Sequence, residues 1–115
     1  NKNKTKKGGI ARTIIFKNGK LFKAVCLDFD IIEEANTRSE VEIQIKEVVI
    51  GYIENVCKNN LDDSLLNRHA DKKYWDLYNK YLKVIKNNKI EKNTSDINNT
   101  SIFTIPINSE ITCYA

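Results

Sequence analysis

Residues 10–27 read Ile10-Ala-Arg-Thr-Ile-Ile-Phe-Lys-Asn-Gly-Lys-Leu-Phe-Lys-Ala-Val-Cys-Leu27, and this stretch decides the fold. Two segments rich in β-branched and aromatic residues, 10–17 and 20–27, flank the dipeptide Asn18-Gly19. Asn-Gly adopts the positive φ angles of a tight hairpin turn, whose twist matches that of the strands it joins. A loop of those two residues sets a register in which Ile15 faces Phe22, Thr13 faces Ala24 and Ala11 faces Cys26. The opposite side of the ribbon carries Phe16 with Leu21, Ile14 with Lys23, and Arg12 with Val25. The first side holds less charge away from the turn, so it is the expected core face.

Working outward, Asp28 to Glu34 (Asp-Phe-Asp-Ile-Ile-Glu-Glu) reads as a short third strand with Phe29, Ile31 and Ile32 as its apolar content. A helix then begins at Thr37-Arg38-Ser39-Glu40, the capping-box pattern. In it Thr37 accepts from a first-turn amide and Glu40 reaches back to the Thr37 amide. The stripe Val41, Ile45, Val48, Tyr52, Val56 has helical spacing, and Val49 and Ile53 widen it as a helix lying on a sheet requires. The helix is expected over residues 38–57. A second helix starts at Asp71 as N-cap, with Trp75, Tyr78, Leu82 and Ile85 on one stripe and Tyr74, Leu77 and Tyr81 beside it. The fold class is therefore α+β: an antiparallel three-stranded sheet (β-β-β-α) covered by one long helix, plus a second helix.

The ends differ in composition from this body. Residues 1–9 are rich in Lys and Asn and close on Gly8-Gly9, which reads as a disordered basic tail. Residues 86–101 are polar and read as a linker. Beyond them, 102–115 holds two strand-like runs, Ile102-Phe103-Thr104-Ile105 and Ile111-Thr112-Cys113-Tyr114, available as added strands. Residues 10–85 form the main domain. The chain's 115 residues suit one domain.

Charge separates along that body. Residues 28–54 carry eight acids (Asp28, Asp30, Glu33, Glu34, Glu40, Glu42, Glu47, Glu54) against Arg38 and Lys46, whereas 64–92 are net basic. An acidic half suits a basic partner better than a phosphate backbone. The 16 lysines accompany 16 isoleucines and 15 asparagines. All three share A/T-rich codons, so the lysine excess reports genome composition before nucleic-acid binding. No apolar run can span a bilayer, and no charged-then-apolar leader opens the chain. The expected location is cytoplasmic, without a membrane partner.

Chemistry-bearing motifs are sparse. Cys26, Cys57 and Cys113 are odd in number and widely spaced, and His69 is the lone histidine; neither a zinc site nor a disulfide framework is expected. Asp28 and Asp30 would share a face of an extended strand, within reach of one Mg²⁺, but no second carboxylate group completes a nuclease site. No glycine-rich phosphate loop is present. The expectation is no catalytic residue, metal ligand or cofactor, with Asp28, Asp30, Glu33 and Glu34 as an acidic rim that meets a partner.

The ordered series Ala24-Val25-Cys26-Leu27-Asp28-Phe29-Asp30-Ile31-Ile32, Thr37-Arg38-Ser39-Glu40-Val41, Ile45-Lys46-Glu47-Val48-Val49 and Tyr52-Ile53 resembles the HicB-like antitoxin family over residues 10–57. That resemblance implies a partial ribonuclease H-like β-β-β-α-β unit, usually without nuclease activity. It further implies a protein that binds and blocks a small, basic, mRNA-cleaving HicA toxin. Neither the helix-turn-helix nor the ribbon-helix-helix domain that many members append is recognised here. A homo-oligomer, such as a dimer, is expected. The competing reading is a nucleic-acid-binding module that uses the Lys-rich tail and the Tyr/Trp/Lys helix as a stacking surface.

Overall fold

The hairpin closes one residue later than the Asn-Gly signal suggests. In a computed structural model that describes Thr5 and residues 8–86 and 99–107, strand β1 (Ile10–Asn18) pairs antiparallel with β2 (Leu21–Cys26). The closing pair is Asn18 with Leu21, so Gly19 and Lys20 form the loop. Gly19 has φ +68° and Lys20 is not left-handed, the type II′ pattern that places glycine first. Every cross-strand partner therefore moves by two residues: Ile15 faces Ala24 and Thr13 faces Cys26. A shift of two preserves the alternation of faces, so Ala11, Thr13, Ile15, Phe22, Ala24 and Cys26 still share one side.

The third strand is shorter than expected. β3 spans Ile31–Ala35, and residues 27–30 make a turn in which the Asp30 amide donates to the Cys26 carbonyl at 2.9 Å. Asp30 sits at φ +59°, a conformation that Asp tolerates better than branched residues. The turn drops Phe29 into the core, where it is 2% exposed and its ring lies 5.0 Å from that of Tyr52.

A fourth strand, β4 (Ser101–Pro106), pairs antiparallel with β1, giving the order β3-β2-β1-β4. The first C-terminal strand-like run thus docks as an edge. The second run, most of the basic tail and residues 87–98 of the polar linker lie outside the described residues; within the tail, Thr5 and Gly8 form an isolated antiparallel bridge. Between β3 and β4 come two α-helices, α1 (Arg38–Lys58) and α2 (Lys72–Lys86), with a 3-10 turn at Asp63–Leu66. The molecule is α+β with a four-stranded antiparallel sheet.

Helix α1 lies on one face of the sheet. Thr37 caps it: its Oγ1 accepts from the Glu40 amide at 3.1 Å. Among the described residues no bond returns from the Glu40 carboxylate to the Thr37 amide, and Glu40 is exposed, so only half of the capping box forms. Val41, Ile45, Val49, Ile53 and Val56 are fully buried. They pack against Ala11, Ile15, Ala24, Cys26, Phe29 and Ile105. Each such aliphatic side chain contributes about 1.5–3 kcal/mol on burial. Val48, placed on the expected stripe, is instead 41% exposed. The buried line runs through Val49, because the sheet meets the helix one residue around from the position the pattern suggested.

The opposite face is covered as well. Helix α2, capped by Asp71 Oδ1 accepting from the Lys73 amide at 3.0 Å, buries Tyr74 and Tyr78 against Ile14, Val25 and Leu27. Trp75 and Leu82 are half-buried, and Ile85 is 39% exposed. The hairpin side assigned to solvent is thus a second, smaller core. Cys57 is disulfide-bonded, a linkage that its wide spacing from the other cysteines did not suggest. Cys26 is a buried free thiol, and burial pushes its pKa up to about 12. No helix among the described residues is long and apolar enough to cross a membrane.

Candidate functional site

The acidic residues singled out in the sequence divide into two groups. Asp28 is fully buried in the turn after β2. Its Oδ2 accepts from the Arg12 amide at 2.7 Å and from Arg12 Nε at 3.3 Å, and its Oδ1 accepts from Arg12 Nη2 at 2.9 Å. Its backbone carbonyl receives the amides of Arg68 and His69, while the neighbouring Leu27 carbonyl receives that of Ala70. Asp28 therefore ties β1, the β2–β3 turn and the connection into α2 together. The expectation that it belongs to a partner-facing rim gives way to this structural role.

Arg12 completes the knot. Its guanidinium lies 4.8 Å from the Trp75 ring centroid, a cation–π distance. The hydrogen bond that the guanidinium donates to the Asp28 carboxylate raises the Arg12 pKa. Burial raises the pKa of the adjacent Tyr78 phenol. His69, at φ +57°, sets its ring 5.8 Å from that of Trp75, tilted by 42°. Three of the four aromatic residues of α2 are thus engaged in packing: Tyr74 and Tyr78 against the sheet, and Trp75 against Arg12 and His69. A base-stacking surface would need those ring faces open to solvent.

Asp28 and Asp30 do not flank one cation. The strand alternation expected to align them is replaced by the turn, and the carboxylate oxygens of Asp28 are engaged by Arg12. Among the described residues, no group of three or more His, Cys, Asp or Glu side chains is placed to hold a metal ion.

Asp30, Glu33 and Glu34 form the second group, on and beside β3. This strand borders the sheet, with β2 as its one strand neighbour among the described residues. Pairing with β2 sends Ile32 and Glu34 to the α2 side of the sheet and Glu33 to the α1 side. Ile32 is 43% exposed. Glu33 Oε1 accepts from Gln44 Nε2 at 3.2 Å, and the same amide group donates to the Glu34 carbonyl at 3.3 Å. Glu34 has Lys23 as its nearest cation, at 3.9 Å. A shallow open groove continues from the end of β3 onto α1, lined by Glu34, Ala35, Asn36, Glu40, Ile43 and Gln44.

This edge can recognise another polypeptide. A border strand offers backbone donors and acceptors to an incoming strand. Ile32 adds apolar area, and the carboxylates favour a basic partner. Glu40, named in the sequence as a cap residue, becomes part of the acidic rim. Gln44 and Ile43 were not singled out; the outward i, i+7 spacing of Ile43 and Ile50 was the available signal. No family model, curated protein or solved structure matches the chain.

Proposed function

We propose that this chain is a HicB-like antitoxin: a non-catalytic protein that neutralises a small, basic, mRNA-cleaving toxin of the HicA type by covering it. The observation that carries this reading is the border strand β3, which presents Asp30, Glu33, Glu34 and a half-exposed Ile32 beside an open groove. The toxin's basic surface meets the carboxylates, which speed encounter and set orientation, while apolar contacts at Ile32 and the groove hold the complex. Occlusion then follows from geometry: a toxin bound along this edge cannot seat RNA on the same basic surface.

The test is co-expression with a small basic HicA-type toxin, taken from the gene next to this one where that gene encodes such a protein, together with binding of the purified pair. The wild type should restore growth. Asp30→Lys combined with Glu34→Lys should weaken binding at least tenfold, equivalent to about 1.4 kcal/mol, and reduce rescue. The double variant should stay folded, because both residues are exposed, with a modest fall in Tm from placing a lysine opposite Lys23. Unchanged affinity in that variant would remove the edge from the reading.

A further inference from the structure

The outer side of α1, opposite its buried line, is built as a helix-docking seam. Glu40, Ile43, Glu47, Ile50 and Glu54 recur at steps of three and four, which aligns them along one face of a helix. Ile43 is 59% exposed and Ile50 is 41% exposed. Among the described residues, none of the three carboxylates on this seam is ion-paired. Beside Glu47 and Ile50 stands Gly51, exposed in the middle of a 21-residue helix. A Cβ added at Gly51 would meet nothing within 4 Å. Glycine in a helix interior is destabilising relative to alanine, and no contact among the described residues accounts for it. A second backbone approaching at that point would account for it.

We infer that this seam docks a lysine- or arginine-bearing amphipathic helix of another protein, with Gly51 at the point of closest approach. Charge selects the occupant. A second copy of the same seam would bring three carboxylates from each chain together, and like charges along a helical interface oppose pairing. Basic residues on the incoming helix would sit against Glu40, Glu47 and Glu54, and its apolar residues against Ile43 and Ile50. The seam shares Glu40 and Ile43 with the groove beside β3 and extends beyond it through Glu47, Ile50 and Glu54, so Glu47→Lys reads the seam and the Asp30, Glu34 pair reads the sheet edge.

The probe is a fluorescent synthetic helix of about three heptads with Lys at the a positions and Leu at the d positions, titrated into the full chain. Binding is expected for the wild type, with at least a tenfold loss for Ile43→Ser combined with Ile50→Ser, and for Glu47→Lys. Asp30→Lys combined with Glu34→Lys should leave peptide affinity within twofold, which separates this seam from the sheet edge. Gly51→Ala should raise Tm by about 2–6 °C while weakening the peptide; a glycine needed only for folding would not divide the two readouts in that way. Three results would overturn the inference: equal affinity across the seam variants, equal binding of a control peptide with Glu at the a positions, or wild-type dimerisation that Ile43→Ser with Ile50→Ser abolishes.

Discussion

The two helices cover opposite faces of one sheet, yet they are built by different rules. Helix α1 sets five aliphatic residues, Val41, Ile45, Val49, Ile53 and Val56, into the larger core and keeps isoleucines on its outer side. Helix α2 buries two tyrosines, half-buries Trp75, Leu77 and Leu82, and turns Lys72, Lys73, Lys80 and Lys83 outward. One helix is apolar on two sides; the other is apolar on one and basic on the rest. The difference teaches that α2 is spent on covering the sheet, whereas α1 retains apolar side chains that nothing among the described residues covers.

Unequal burial should appear as unequal stability. Ile45→Ala should destabilise by about 4 kcal/mol, and Leu82→Ala on α2 by about 1–2 kcal/mol, because a side chain already half in water leaves a smaller cavity. Urea unfolding followed by circular dichroism measures both, and equal losses would break the contrast between the faces. Arg12→Ala strands the buried Asp28 carboxylate and should cost about 3 kcal/mol. That loss should be accompanied by loosening of α2, visible as a red shift of Trp75 fluorescence.

Alkaline titration sharpens the comparison from the α1 side. The Cys26 thiol ionises near 9 when unfolded and near 12 when folded. Below pH 9 both states hold the proton, and this thiol contributes its full share. Between pH 9 and 12 the unfolded chain releases the proton first, so stability falls by about 1.4 kcal/mol per pH unit from this group. Cys26→Ala should flatten that part of the slope, and a slope identical to wild type would contradict the burial. Thr37→Ala, which removes the α1 cap, should cost about 1 kcal/mol. Lys80→Glu on the outer side of α2 should change stability by less than about 0.5 kcal/mol.

Elements with strong local rules were readable in the sequence. The capping residue Thr37 and the apolar periodicity placed α1 to within a residue, and Asp71 began α2 as expected. The hairpin was legible as a hairpin but not in register. Asn18-Gly19 suits the loop on local preference, yet the type II′ geometry moves Gly19 to the first loop position and Asn18 into the closing pair. The turn at 27–30 was hidden for a different reason. Its conformation is fixed by Arg12 and the 68–70 backbone, partners far away in the chain that no local window contains.

The candidate site divided along the same line. Asp30, Glu33 and Glu34 could be assigned to a surface because charged residues on a border strand stay hydrated. Asp28, two positions from Asp30, could not be distinguished from them without knowing where Arg12 falls. Covering of the second sheet face by α2 was legible only as one of two alternatives, since an aromatic amphipathic helix reads the same whether its rings pack on its own sheet or on a sister subunit.

The placement of β4 bears on how the molecule is made. Strand β1 has β2 on one side almost at once, but its other side waits for residues about 90 positions further on. At typical elongation rates that is a delay of roughly 4–20 s on the ribosome. Throughout it the nascent meander has two bare borders, with Ile10, Ala11 and Ile14 along the one that β4 will later seal. Assembly of the sheet is therefore a race between the arrival of its last strand and capture of that border by a stray one.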